Sequence, residues 1–480
     1  MTQDKAGIGN LMKKYYGIVS AKLFSNRGIF LACLTIFFLS LTRCVIAFRL
    51  GQYGVRWDDS ILSARKTLGG LDAGSYMQGA ISLSNGSYKN PTNSFIWNLW
   101  PPGLPIYEFI FVKIFGTNIP ILLVLAVTAS TLVAGVSYIF LRAGVESKSR
   151  TLSLLILVFL LTSSVFQGWL LDQGIMYAEN FYIFFGLLSL LLMKKATSDA
   201  KPYFYLVGLF LSMSAFFRAV GFIEIEMLAA VFIASLIVYN ILSRSKYKRE
   251  GSGNYVSQTM KIFLGSLPLV TFWSIFHHSW AKFPITQWVS TGDQSWRSDW
   301  ATDAQMQTSG WGIAKGIDNW ACHLEPIKCL KIQLPSAHPD YFTSALGTII
   351  SHPFSFFYNR SIDIWHYWIL NGRWLYPPQN KLPLAFSYAE GICFLTITMV
   401  AVLSICVRWR SNIALKLFQA IVLIGSTFPL LFFHLESRYL IPCKVFSSLI
   451  LITNFGDIKL VTSLLRARIN NMITGIGHVS

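Results

Sequence analysis

Charge is what this chain has least of. Charged residues make up 13% of it, about half the roughly 25% of a soluble domain, and the shortfall excludes an ordinary water-soluble globule. Acid is scarcer than base, with 22 Asp and Glu against 40 Lys and Arg and a formal net charge of +18. Several signatures are missing altogether. There is no Walker loop, no HExxH, no GxSxG and no glycine fingerprint of a dinucleotide fold in a suitable setting, which argues against a nucleotide-driven pump and a serine hydrolase. No internal repeat and no low-complexity tract appears. Cysteine is sparse, seven in all. Cys33, Cys44, Cys393, Cys406 and Cys443 lie in apolar runs and read as small core residues. Cys322 and Cys329 flank "HLEPIK" and are candidates for a disulfide on an oxidising face. With His323 they supply too few donors at too loose a spacing to assign a metal site.

Apolar length is what the chain has in abundance. It is 53% hydrophobic and 15% aromatic, with a mean hydropathy of +0.50. Long apolar runs of this kind predict an all-α polytopic membrane protein, one integral-membrane domain over residues 1–480. Ten spans are expected, at about 29–48, 119–141, 151–170, 176–193, 203–220, 222–242, 260–280, 386–407, 412–433 and 439–455. The first run carries no small-residue cleavage pattern, so no removable signal peptide is expected.

The basic excess follows from topology. Lys13, Lys14, Lys22 and Arg27 precede the first span and place the N-terminus in the cytoplasm. Later loops on that side read "RAGVESKSR", "KKATSDAK", "SRSKYKRE" and "RWRS". The charge is positive-inside bias, and no nucleic-acid partner is expected. Of the 22 acidic residues, only Asp4, Glu146, Asp199, Glu250 and Asp457 fall on the cytoplasmic side. Chemistry is expected where the other carboxylates gather, at the outer face.

Two connections are long, residues 49–118 and 281–385, and both are expected outside. Segments of that length carry structure of their own. In the first, Asp72 precedes "AGSYMQGAISLS" and Asn85-Gly86 follows, an N-cap and a stop for a short helix lying at the membrane surface. Tyr76, Gly79, Ala80 and Leu83 share one of its faces. Trp97, Trp100, Tyr107 and Phe109 suit the membrane interface, and Pro101, Pro102 and Pro105 are expected to break regular structure as the chain re-enters the bilayer near Phe115-Gly116. In the second loop, "HPFSFFYNRSIDIWHYW" predicts an interfacial helix begun by Pro353.

Three clusters carry candidate chemistry. Asp72 is either a helix cap or a base at the membrane boundary, with Asp58 and Asp59 as competitors. His434, Glu436, Arg438 and Tyr439 crowd the turn before the last span, where Arg438 suits bidentate binding of phosphate. Glu179 and Asn180 open the fourth span, and Arg218 closes the fifth, placed to pair with Glu224 or to line a polar cavity.

These residues resemble a known family. "LDAGSYMQGAISLSNGSY" followed by "WPPGLPIYEFIFVKIFG" resembles the first outer loop of the GT-C glycosyltransferases that use polyprenyl-phosphate sugars. That group includes the protein mannosyltransferase-like and lipid A aminoarabinose transferase-like enzymes. "AEN" at Glu179, "FFRAVGF" at Arg218 and "HLESRYLIP" also resemble it. Many relatives carry a second acid directly after the loop aspartate, whereas Ala73 stands here. The resemblance implies no certain cofactor and leaves a divalent cation open.

It further implies an inverting transferase with Asp72 as base and Arg438, Arg218 and Lys89 as candidates for the donor phosphate. Tyr76, Glu179, His434, Glu436, Tyr439 and Trp100 would bind substrate. The partners implied are a polyprenyl-phosphate-linked sugar, a glycan, lipid or protein acceptor such as lipopolysaccharide or O-antigen, and membrane lipids. The expected location is a bacterial inner membrane with the site facing the periplasm. The alternative is an endoplasmic reticulum membrane with a lumenal site. A lipid-linked-sugar polymerase or ligase is the neighbouring reading, a transporter or flippase the more distant one, and an inactive scaffold the blandest.

Overall fold

A computed structural model describes residues 22–49, 60, 72–86, 101–118, 120–164, 178–199, 203–218, 220–244, 252–276, 353–369, 384–407, 412–432, 440–460 and 462–463. These form thirteen helices and no strand; one isolated backbone bridge joins Ser60 to Pro120. In chain order they are α1 (Asn26–Arg49), α2 (Asp72–Ser84), α3 (Gly103–Phe115), α4 (Ile121–Glu146), α5 (Arg150–Thr162), α6 (Glu179–Asp199), α7 (Tyr203–Phe217), α8 (Val220–Arg244), α9 (Ser252–Phe276), α10 (Pro353–Ile369), α11 (Leu384–Cys406), α12 (Ile413–Phe432) and α13 (Ile441–Thr453). Ten of these helices overlap the ten apolar runs of the sequence.

Among the described residues, three stretches are long and apolar enough to cross a membrane: Asn26–Ile46, Val124–Glu146 and Ala385–Cys406. Arg150–Thr162, Tyr203–Phe217, Ile413–Thr427 and Ile441–Thr453 are apolar but shorter. The first and third of the long stretches leave much of their surface uncovered. On α1, Phe30, Leu31, Leu34, Phe38, Leu39 and Ile46 are exposed; on α11, Phe386, Ile392, Met399 and Leu403 are. Contiguous apolar surface of this kind is rare on a soluble monomer and is the normal surface of a helix in lipid.

The bundle is built on close pairs. α7 packs along both α6 and α9, α1 lies on α4, and α11 lies on α13. Glycine sets the α7–α9 contact. A Cβ on Gly208 would overlap the carbonyl oxygen of Ile262, and one on Gly265 would overlap that of Tyr205. Two backbones touch because neither helix carries a side chain where they cross, the usual device of helix pairs in lipid.

One end of the bundle is tied by side chains. Lys416 donates to the carbonyl of Ser404 at 2.6 Å and pairs with the Asp457 carboxylate at 2.8 Å. The Asn454 amide donates to Gln419 Oε1 at 2.8 Å and to Ser404 Oγ at 3.0 Å. Gln419 in turn donates to Thr453 Oγ1 at 3.1 Å. The ends of α11 and α13 and the start of α12 are thereby joined.

The other end carries α2 and α3, and here the structure corrects one expectation, that of the prolines. α2 runs from Asp72 and stops at Asn85-Gly86, where Gly86 takes φ 71°, as expected of that dipeptide. Much of it is packed against the rest of the protein. Tyr76, Met77, Gly79, Ala80, Ile81 and Ser82 are all buried, because glycine, alanine and serine let neighbours approach on more than one side. The prolines do not break structure. Pro101 and Pro102 lead directly into α3, with Pro102 at its N-cap and Pro105 in its first turn, where a missing N–H costs nothing. Gly103 then allows α3 to seat against the backbone of Phe216 at the end of α7. Tyr107 ties α3 to its neighbours. Its hydroxyl shares a 2.6 Å hydrogen bond with Thr128 of α4, and its ring leans on Phe181. Of the cysteines read as core, Cys44 and Cys443 are buried, but Cys393 and Cys406 are exposed.

Candidate functional site

Five elements meet at the α2–α3 end, Leu132 bringing in α4. Tyr76 of α2, Leu104 of α3, Ala178 and Phe181 at the start of α6, and Phe216 and Phe217 at the end of α7 form one buried cluster. Phe181 and Phe217 stack with ring centroids 4.3 Å apart and planes 8° from parallel. This aromatic floor positions the charged residues beside it, because Glu179 precedes Phe181 by two residues and Arg218 follows Phe217 directly.

Arg218 pairs with Glu179, Nη1 to Oε1 at 2.6 Å, with side chains 16% and 1% exposed. Pairing with Glu224 was one of the two expectations for Arg218, the other being a polar cavity. The Glu224 carboxylate instead accepts a 2.5 Å hydrogen bond from the Tyr182 hydroxyl. Gly425 of α12 makes the room for it, since a Cβ there would overlap Glu224 Cγ. Asn180, beside Glu179, is buried, and neither its amide nitrogen nor its oxygen has a hydrogen-bond partner among the described residues. A buried amide that meets nothing carries a desolvation penalty, and a ligand with hydroxyl groups would relieve it.

Sequence reasoning passed over several other groups here. Glu108 of α3 is buried, and its Oε2 has no hydrogen-bond partner among the described residues. Burial pushes its carboxyl up from the ordinary 4.5 to about 8. Glu390 of α11 accepts from Ser164, Oγ at 2.8 and 2.7 Å and backbone N at 3.2 Å. Lys444 in the first turn of α13 is fully buried. The available signal was a charge inside an apolar run, which is costly enough to mark function. All three residues meet that test in the sequence.

Glu108 gives a pH prediction. A carboxyl whose folded pKa is raised holds its proton longer in the folded state. Its stabilising contribution is complete below 4.5 and is lost as pH climbs towards about 8. Glu108→Gln removes the titration. The difference in unfolding midpoint between variant and wild type, measured in detergent from pH 5 to 9, should grow in the variant's favour by an amount worth a few kcal/mol. A difference that is flat with pH would refute it.

Asp72 opens α2, one turn before Tyr76, and Tyr76 reaches the cluster that carries Glu179 and Arg218. Thus Tyr76, Glu179 and Arg218 are brought together. Lys89, Trp100, Asp58, Asp59, His434, Glu436, Arg438, Tyr439 and the Cys322–Cys329 element lie outside the described residues. Among the described residues, no three His, Cys, Asp or Glu side chains are grouped to hold a metal ion. Set against protein-family models, curated proteins and solved structures, the chain matches none of them.

Proposed function

We propose that the protein is a membrane glycosyltransferase that moves a sugar from a polyprenyl-phosphate donor to a cell-surface acceptor. The observation that carries this reading is the burial of α2 beside the Glu179–Arg218 pair. The helix headed by Asp72 is packed through Tyr76 into the cluster from which Glu179 and Arg218 project. An ion pair and an unmet amide thus gather at one end of an apolar bundle, beside the helix that begins at Asp72. The ten-span layout, with this end outside, belongs to the same proposal.

The chemistry asks for little. The phosphate is already a good leaving group and needs positive charge, not a general acid. The acceptor oxygen bonds to the anomeric carbon as the bond from that carbon to the phosphate oxygen breaks. The acceptor proton passes to the Asp72 carboxylate, and polyprenyl phosphate leaves with the electron pair. One displacement inverts the anomeric centre. Arg438 faces the departing phosphate in this scheme, while Arg218 serves to hold Glu179. Glu179 and Asn180 bind sugar hydroxyls.

The test is to express the chain in cells that make polyprenyl-phosphate sugars and compare their surface glycans with empty-vector cells by mass spectrometry. A mass increase of one sugar is expected. No change in the native host, on deletion and on restoration of the gene, would remove the transferase reading and favour transport.

A further inference from the structure

The end of the bundle tied by Lys416 and Asp457 has a corner where three segments meet. Ser25 caps the start of α1 there, its hydroxyl accepting from the Gly28 N–H at 3.0 Å. Arg142, near the end of α4, donates to Asn26 Oδ1 at 3.1 Å. Arg150, the first residue of α5, lies over the Phe24 ring, 5.8 Å from its centre. Phe24 is buried, and a Cβ on Gly144 of α4 would press on its ring. Ser149 donates to the Ile452 carbonyl of α13 at 3.3 Å and so joins the corner to the tied end.

The corner is rich in exposed cations. Lys22, Arg27, Lys148 and Arg150 are all exposed, and among the described residues none of the four has a carboxylate partner. Two carboxylates at this end already face a cation, Glu146 on Arg142 at 3.5 Å and Asp457 on Lys416 at 2.8 Å. Lys148 takes φ 53°, a state more usual for glycine or asparagine, and places a cation at the tip of the α4–α5 turn. Like charges brought together repel, so an anion completes the corner. The neighbouring surface names its kind. Arg27 shares one face of α1 with Phe30, Leu31 and Leu34, spaced three, four and seven residues on and all exposed. Leu155 and Val158 are exposed one to two turns beyond Arg150 on α5. Tyr138, also exposed, stands one turn before Arg142 on α4, as an aromatic at headgroup level does. A water-soluble acidic partner would use the cations and leave the apolar stripes bare, whereas a phospholipid uses both.

We propose that this corner binds an anionic phospholipid, its headgroup phosphate held by Arg27, Lys148 and Arg150 and its acyl chains laid along the exposed apolar faces of α1 and α5. The site is at the end of the bundle away from α2 and α3 and does not rest on the transferase reading. Guanidinium forks match phosphate oxygens, and each cation near an anionic membrane surface adds to the attraction. One headgroup held from both α1 and the α4–α5 turn clamps the two together, so the bound lipid stabilises the fold.

The experiment uses the purified full chain in detergent, offered phosphatidylglycerol and phosphatidylcholine of the same acyl chains in equal amounts, with retained lipid counted by native mass spectrometry. Wild type is expected to retain phosphatidylglycerol in preference and to unfold at a higher temperature with it, while inorganic phosphate at the same concentration does not raise the midpoint. Replacing Arg27, Lys148 or Arg150 singly by Gln should cut the preference roughly fivefold, and the triple variant Arg27→Gln/Lys148→Gln/Arg150→Gln should abolish it. Lys113→Gln, exposed near the end of α3, removes the same charge elsewhere and should change nothing. The inference is overturned if wild type shows no preference, if the triple variant keeps it, or if inorganic phosphate stabilises as well as the lipid. It is equally overturned if Lys113→Gln lowers the preference as much as a corner replacement does, since net charge alone would then account for it. Uptake of polyglutamate in place of phosphatidylglycerol would overturn it in favour of a protein partner. Should the triple variant fail to fold, Arg27→Gln/Lys148→Gln, which leaves Arg150 on Phe24, decides alone.

Discussion

Asp72→Asn should lose sugar transfer by about 10²–10⁴-fold, the range for removal of a general base, while the protein remains folded. The expectation of a fold left intact is as important as the loss. Asn caps a helix start about as well as Asp, and α2 is held by the burial of Tyr76, Met77, Ala80 and Ile81. Unfolding midpoints of variant and wild type should therefore coincide. Activity is read as sugar added to surface glycan at matched membrane levels. If the variant transfers as well as wild type, Asp72 is a helix cap, and Asp58 and Asp59 become the carboxylates to replace.

The second large effect is on stability. Arg218→Leu leaves Glu179 as a buried carboxylate with its 2.6 Å partner gone. Removing one member of a buried pair costs roughly 3–5 kcal/mol, whereas replacing both with apolar residues is often neutral. The double variant Arg218→Leu/Glu179→Leu should thus recover most of the midpoint that Arg218→Leu loses. Both measurements are thermal unfolding in detergent. If the single and double variants are equally unstable, the pair is not what Arg218 is for, and its role as a phosphate ligand returns to consideration.

Much of the helical framework was legible because apolar length is a local property. The runs that became α1, α4 and α11 needed no knowledge of their neighbours. The stop of α2 at Asn85-Gly86 and the start of α10 at Pro353 were likewise written in residues that act on their own backbone. Partner choice was not legible. Glu224 is six residues from Arg218 in the chain, but its side chain meets Tyr182 across the bundle. Glu179, on another helix, comes to Arg218 because Phe181 and Phe217 stack. The burial of α2 was hidden for a related reason. A face is assigned from large apolar residues, and α2 is packed partly through small ones, Gly79, Ala80 and Ser82. Lys444 was legible by its place in an apolar run, yet its carbonyl partner lies 76 residues away.

The glycine at 425 bears on the routes by which this chain can change over generations. Its missing Cβ is the space that Glu224 Cγ fills, and the Glu224 carboxylate is in turn what Tyr182 donates to. The three positions form a lock that opens in one order. A lineage that enlarges residue 425 first meets a steric dead end, and one that shortens residue 224 first strands a buried tyrosine hydroxyl, a smaller penalty that a later change at 182 can mend. The permitted path therefore runs from 224 outwards. Position 425 should be the last of the three to drift, although it carries no chemistry of its own.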